Sequence, residues 1–378
     1  MSRLNELIQE LCPDGVELKR LGDQQVCVMQ RGTVITKNSI IMGEIPVIAG
    51  GKNPAYYCNQ ANRTGETITI AGSGAYAGFI SYWNIPIFVS DAFSIKGTEL
   101  CSTKYLYYLL LNMQDKIYAT KKGAGIPHVH IKDVENFKIP IPPLDVQNEI
   151  VRILDTFTSH AAELQAELQA RKEQYEYYRN KLLTFDKDDK NVKWMNLGEV
   201  YDIKAGKSIP ASEISSKRTG EKRFPCYGGN GLRGYVSLFN QEGEKVLIGR
   251  QGALCGNVNF AEDQFYATEH AIVVSDRGYC LPRYTFYLLI IMNLNQYKTA
   301  GAQPGLSVSR LEKILLPIPS ISEQQRIVSV LDKFETLVND LTEGLPAEIA
   351  AVQEQYEYYR NKLLTFKDVG TYHGASST

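Results

Sequence analysis

Arginines, lysines, amides and tyrosines beside glycine-rich turns are the residues of this 378-residue chain best suited to chemistry, and that chemistry is recognition. In the second half Lys204, Lys207, Lys217, Arg218, Lys222, Arg223, Arg233, Lys245 and Arg250 are interleaved with glycines and Tyr227. The first half offers Arg31, Lys37, Lys52, Tyr56, Tyr57 and Arg63, then Lys121-Lys-Gly-Ala-Gly125. On a turn that approaches a duplex, arginine and amide groups pair with base edges, whereas lysine mostly meets phosphate. The candidate DNA contacts are Arg31, Lys52, Tyr56, Tyr57, Arg63, Lys121, Lys122, His128, Lys217, Arg218, Arg223, Asn230, Arg233, Arg250 and Gln251. A basic run is more often a solvated face, so the grouping gains weight only from its surroundings.

Bond-making motifs are missing. Ala205-Gly-Lys-Ser208 has the tail of a phosphate-binding loop, but Tyr201 holds the place of the first glycine. Ile141-Pro-Pro-Leu144 lacks the amide of an amino-methyltransferase motif, and no dinucleotide fingerprint is present. His128 and His130 share a face of an extended segment, yet only Asp133 is close by, so no metal site is expected. Glu269-His270 has no nearby serine or cysteine on a nucleophile elbow. No cofactor, metal or catalytic residue is expected, and the chain reads as a non-catalytic protein.

Composition sets the class. At 44% hydrophobic and 22% charged, the chain reads as soluble and globular, with length for two cores. No run approaches eighteen apolar residues, and the first residues lack the build of a signal peptide. Cys12, Cys27, Cys58, Cys101, Cys226, Cys255 and Cys280 are odd in number and scattered, which fits a reducing cytoplasm. The net charge of -1 is low for a protein that grips phosphates alone. Partners could supply that grip, the charge could be local, or nucleic acid is not the ligand.

The elements that must position these residues occur twice. Glu173-Gln-Tyr-Glu-Tyr-Tyr-Arg-Asn-Lys-Leu-Leu-Thr-Phe185 recurs letter for letter at Glu354 to Phe366. Ile139-Pro-Ile-Pro-Pro-Leu144 is echoed by Leu316-Pro-Ile-Pro-Ser-Ile321, and Ile150–Phe157 by Ile327–Phe334. Weaker echoes pair Ala49–Lys52 with Tyr227–Asn230 and Ile70–Ala75 with Ile248–Ala253. The globular parts are strand-rich, with Thr67–Ile70, Ile85–Val89, Lys245–Ile248 and Ala271–Val274 as short strands. Tyr105–Met113 and Tyr284–Met292 read as helices.

The stalks carry a coiled-coil seam. It runs through Ile150, Leu154, Phe157, Ala161, Leu164, Leu168, Tyr175, Tyr178 and Leu182. In the second copy it runs through Ile327, Leu331, Phe334, Val338, Leu341 and Leu345, and resumes at Tyr356, Tyr359 and Leu363. Phe157 maps to Phe334 at a separation of 177, but Glu173 maps to Glu354 at 181, so the second stalk holds four extra residues. Gly344 and Pro346 make a kink or short break there the expectation. With a domain returning between them, the stalks are expected to pair antiparallel and to hold two globular domains apart. Matching stalks and diverged globular interiors suit one docking surface repeated and two targets read; peptide and RNA remain open beside DNA.

Taken in order, these features resemble the specificity subunit of type I restriction-modification systems over essentially the full length. The exits above run into Gln147-Asn-Glu-Ile-Val-Arg-Ile-Leu-Asp155 and Glu323-Gln-Gln-Arg-Ile-Val-Ser-Val-Leu-Asp332, then into the duplicated Tyr-Glu-Tyr-Tyr-Arg-Asn-Lys-Leu-Leu element. Asn148 stands where the second copy has Gln325.

The resemblance implies an α+β chain with an internal pseudo-two-fold repeat. It has target-recognition domains at 1–143 and 187–320, spacer helices at 144–186 and 321–367, and a flexible tail at 368–378. Each domain would read half of a split double-stranded DNA site, and the helices would fix the gap. Two copies of a modification subunit would bring S-adenosylmethionine and adenine-N6 methylation, and restriction subunits would bring cleavage. Two rivals stay open: the subunit of a methyltransferase-nuclease fusion system, and a non-DNA adaptor bridging two copies of a partner.

Overall fold

The computed structural model describes residues 2–35, 41–123, 125–252, 254–299, 304–340 and 343–369. Lys37, Ala124, Ala253, Leu341 and the tail from 370 onward lie outside the described residues. The chain divides into two compact units, Met1–Gln165 with Glu348–Thr378, and Ala166–Ala347.

In the first unit β1 (Leu18–Arg20) pairs antiparallel with β9 (Lys138–Pro140). A four-stranded antiparallel sheet takes the order β2 (Cys27–Arg31), β8 (Ala92–Gly97), β5 (Thr67–Ala71), β6 (Ile80–Trp83). A three-stranded sheet takes the order β4 (Tyr56–Cys58), β3 (Ile45–Ile48), β7 (Phe88–Val89), with β3 and β7 parallel. Of the expected strand Ile85–Val89 only the last two residues are regular. Every residue of β5, a central strand of its sheet, is buried, and its β-branched Thr-Ile-Thr-Ile run suits such a strand.

Helix α1 is Ser2–Leu11, α2 is Thr103–Asn112, α3 is Gln114–Ala119 and α4 is Ile131–Val134. Ser102 starts α2 by accepting the Tyr105 N–H (3.1 Å), and the helix lies over β5, β6 and β8. Its Tyr105, Leu106 and Leu110 join Leu4, Ile68, Ile70 and Ile95 in the core.

The second unit repeats this plan. Strand β10 (Lys193–Asn196) pairs with β19 (Leu315–Ile318). The larger sheet is β11 (Tyr201–Ala205), β18 (Ala271–Asp276), β15 (Lys245–Gly249), β16 (Val258–Ala261). The smaller is β13 (Gly231–Val236), β12 (Phe224–Gly228), β17 (Gln264–Ala267), β14 (Gln241–Glu242), again with one parallel pair, β12 and β17. Helices α6 (Leu197–Val200), α7 (Pro282–Ile291) and α8 (Val308–Leu311) complete it. Pro282 opens α7, where its missing N–H is not needed.

The first stalk is one helix, α5 (Leu144–Leu183). The second is two, α9 (Ile321–Asn339) and α10 (Leu345–Leu363), so the stutter is resolved as a break. A side chain on Gly344 would lie 2.4 Å from the Thr336 carbonyl oxygen, so only glycine returns this close to the end of α9. After the break the buried seam restarts at Leu345, as the sequence places it, and continues through Ile349 and Val352, which the sequence reading left out between Leu345 and Tyr356.

Ile150, Leu154, Leu164, Leu168, Tyr175, Ile327, Leu331, Val338 and Leu363 are buried as the seam requires. Phe157 stacks on Tyr359 (5.5 Å, 25°) in the first unit, and Phe334 stacks on Tyr178 (5.8 Å, 24°) in the second. The end of α5 departs from the expected register: Leu183 is buried, whereas Leu182 is half-buried and Tyr178 keeps an exposed edge. In the first unit Leu363, Leu364 and Phe366 pack with Leu4, Leu7 and Ile8, and Val16 exchanges backbone hydrogen bonds with Lys367 (2.9 Å) and Val369 (3.2 Å).

Candidate nucleic-acid interface

Three loops meet at one edge of each unit, held by the same backbone bonds. In the first unit they are 50–53, between β3 and β4, 72–76, between β5 and β6, and 121–123 with 125–128, between α3 and α4. The Gly74 N–H donates to the Pro127 carbonyl (3.0 Å) and the Val129 N–H to the Gly72 carbonyl (3.0 Å). In the second unit the Gly252 N–H donates to the Pro304 carbonyl (3.1 Å) and the Leu306 N–H to the Arg250 carbonyl (2.8 Å). Gly74 and Gly252 have φ of 83° and 95°, a left-handed conformation that favours glycine. A side chain on Gly50 would lie 2.4 Å from the Ser73 carbonyl oxygen, and one on Gly229 would lie 2.9 Å from that of Gln251. The glycine-rich turns therefore serve close backbone approach, and their flanking residues stand at the loop tips.

Two asparagines outside the sequence-derived set anchor this frame. Asn62 Nδ2 donates to the Val89 carbonyl (2.9 Å) and its Oδ1 accepts the Val89 N–H (2.7 Å). Asn240 makes the same two bonds to Ala267 (2.9 and 2.8 Å). Asn62 thereby clips the end of β7 and Asn240 the end of β17, and the shared separation of 178 residues is the sequence signal that could have found them.

In the second unit, Asn230, Arg233 and Gln251 come together with Leu232 and His270 around a cleft of about 560 Å³. Arg250 sits just behind, half-buried, with Nη1 3.4 Å from the Glu269 carbonyl oxygen. His270 Nε2 is 3.2 Å from Glu269 Oε1. Arg218 and Arg223 line a separate hollow with Glu242 and Glu262, and Arg223 lies over the Phe224 ring at 4.8 Å. Lys217 is exposed, its backbone N–H held by the Ser215 hydroxyl (3.2 Å).

In the first unit Lys52 covers the Tyr76 and Phe79 rings (5.2 and 5.5 Å), and Lys121 covers Tyr118 (4.1 Å). Lys122 is exposed and pairs with Asp133. Burial alone would raise the Asp133 carboxyl, but hydrogen bonds from Lys122 and the His130 N–H hold it below its ordinary range. His128 stacks flat on His130 (5.8 Å, 12°), so the imidazoles lie face to face instead of converging on a metal. Among the described residues no group of three or more His, Cys, Asp or Glu could hold a metal ion.

Tyr57 and Arg31 are exposed. Tyr56 and Arg63 are turned to structural tasks. The Tyr56 hydroxyl donates to the Ile35 carbonyl (2.9 Å). Arg63 donates to Ser94 Oγ (2.7 Å), the Asn62 carbonyl (2.7 Å) and the Arg31 carbonyl (2.9 Å). A residue absent from the sequence-derived set, Asp91, stands exposed in the cluster and accepts the Ser73 hydroxyl.

A family model described as the type I restriction modification DNA specificity domain matches residues 13–174 and 189–351. The EcoprrI specificity subunit of Escherichia coli is 44% identical over 251 residues, which cover 64% of this chain and 63% of that protein, less than two thirds of its length. The EcoR124I/EcoR124II specificity subunit of Escherichia coli is 32% identical over 408 residues, covering 97% of each. The fold is similar to the crystal structure of a type I restriction-modification S subunit from M. genitalium, with a TM-score of 0.65, 18% identity and coverage of 93% of this chain and 97% of that one. It is also similar to a chain from a structural study of type I R-M complex assembly, with a TM-score of 0.59, 21% identity and coverage of 94% and 98%. Two domain matches and a relative aligned along nearly the whole length lead to one conclusion: this chain belongs to the type I restriction-modification specificity-subunit family, whose work is DNA target recognition.

Proposed function

We propose that the chain reads a split, asymmetric site on double-stranded DNA and directs adenine-N6 methyltransferase and restriction subunits to it. The recognition domains are 1–143 and 187–320, each reading one half. The helices at 144–186 and 321–367 run antiparallel and set the gap. The observation that carries this reading is one backbone frame of three loops built twice, with different side chains at its tips. A common frame with exchanged side chains suits two related tasks with different targets. No reactive group is needed, because the chain contributes differential binding: each well-placed side chain discriminates by about 1–3 kcal/mol between bases. Linking two halves through a fixed spacer combines their specificity and makes the gap strict.

Two copies of the modification subunit dock on the helices. Tyr177 and Tyr358 support this: they are 59% and 60% exposed, so their packing within this chain does not account for their exact repetition. Each meets its neighbouring tyrosine edge-on (5.3 Å, 77° and 5.2 Å, 76°) and lies beside a lysine four residues on. The complex works in the cytoplasm; no helix among the described residues is long and apolar enough to cross a membrane.

The test is to reconstitute the chain with its modification subunit and map methylated adenines on a plasmid by single-molecule sequencing. A bipartite motif with a fixed gap is expected. A stable complex without sequence-dependent methylation would overturn DNA reading and favour an adaptor that bridges two partner copies.

A further inference from the structure

Asp91 is an acid in an otherwise basic cluster. The Gly72 N–H donates to its carbonyl (3.1 Å), and the Ser73 hydroxyl donates to its Oδ2. A side chain on Gly72 would lie 3.3 Å from Oδ1, so the absence of one leaves room for the carboxylate over the loop. Lys52, Lys121 and Lys122 stand on the same three loops, yet among the described residues Asp91 forms no ion pair. Phosphate repels an exposed carboxylate, which gains in a DNA interface only where a donor meets it.

The second unit places different chemistry on the same frame. There the Arg250 N–H donates to the His270 carbonyl (2.8 Å), so Arg250, Gln251 and His270 take the places of Gly72, Ser73 and Asp91. An oriented acceptor in one unit corresponds to a set rich in donors in the other. Such an exchange on a common backbone changes which base edge is matched without changing how the loop is held.

Building on the DNA reading above, we infer that Asp91, oriented by Ser73, accepts the exocyclic amino group of a cytosine in the half-site of the first unit. In the major groove cytosine offers its N4 amino donor, whereas adenine sets the N7 acceptor beside its amino group, against the second carboxylate oxygen. Guanine and thymine present acceptors at this edge and are rejected.

The test is selection of bound sequences from a randomised duplex library by the full chain with its modification subunit, as wild type, Asp91→Asn and Ser73→Ala. Wild type is expected to enrich a bipartite motif. Asp91→Asn is expected to keep the gap and the other half-site but lose about tenfold or more of its preference at one C·G pair. Adenine should rise there, because asparagine pairs with its N6 and N7. Ser73→Ala should relax the same pair less. An unchanged Asp91→Asn motif, a change at a different pair, or uniform loss over both half-sites would overturn the role of Asp91 alone. A wild-type complex that enriches no motif would overturn DNA reading itself, and this inference with it.

Discussion

Gln147 and Gln324 are the same joint made twice. Gln147 Nε2 donates to the Leu100 and Pro142 carbonyls (2.9 and 2.8 Å) while its Oε1 accepts the Ser102 N–H (2.9 Å). Gln324 donates to Tyr279 and Pro319 (both 3.0 Å) and accepts from Leu281 (2.8 Å). Both are fully buried and tie the first turn of a stalk to the start of α2 or α7. Leucine would fill the space and leave three backbone groups unpaired. Each Gln→Leu variant is expected to lose about 2 kcal/mol or more in urea unfolding, since each buried unpaired group costs about 1–3 kcal/mol. Hydrogen exchange should localise the loss to one unit for each variant; equal effects in both would refute independent joints.

Stability should fall in acid partly through Asp133. Its carboxyl is held below the ordinary 3.8 against the opposing effect of burial. A depressed folded pKa gives stability that is complete above the unfolded value and lost as pH falls through the folded one. Asp133→Asn should therefore be less stable than wild type near pH 7 and flatter below about pH 4. Urea midpoints across that range would check it; parallel curves would show that the pair contributes nothing.

Arg233 and Lys52 should fail in different ways. Arg233 stands in the cleft with Asn230 and Gln251, so Arg233→Ala should weaken binding by about 1–3 kcal/mol and relax one position of one half-site. Lys52→Ala should weaken all sequences alike and lower the salt slope by about 1. Binding titrations at several salt concentrations, on matched and mismatched duplexes, separate the two.

How much of this was written in the chain can be judged from single residues. Phe157 and Phe334 were legible because a seam repeats every three or four residues, and that period puts each on the helix face where it stacks on Tyr359 or Tyr178. Asn230, Arg233 and Gln251 were legible because glycines beside them mark turns. Residues 304–306, which answer 127–129, were not legible: their bonds run through backbone N–H and carbonyl groups, which carry no side-chain signature. Tyr56 and Arg63 were chosen by type, yet their donors point inward, and direction is a property of packing. Asp91 carries no signal in the sequence, because an acid does not mark a phosphate contact.

Lengthening α5 should change the gap between half-sites. Four inserted residues add about 6 Å, the length of roughly two base pairs. The expected motif keeps both half-sites and shifts the gap by about that amount; altered half-sites with an unchanged gap would refute the ruler.

Tyr177→Ala and Tyr358→Ala should each cost one modification subunit. Native mass or sedimentation measurements are expected to find complexes with one copy for either single variant and none for the double variant. Full assembly of the double variant would exclude this patch from docking.

The first unit is discontinuous, and synthesis is vectorial. Its core closes only when Leu363 and Leu364 reach Leu4 and Cys12, roughly 200 residues after Gln165 has been made. At about 5–20 residues per second the nascent first unit waits roughly 10–40 s with an apolar face uncovered. The second unit, continuous from Ala166 to Ala347, can finish in the meantime. The half that is translated first is therefore the half that matures last, and the end of α10 is the piece whose arrival completes the core of the first unit.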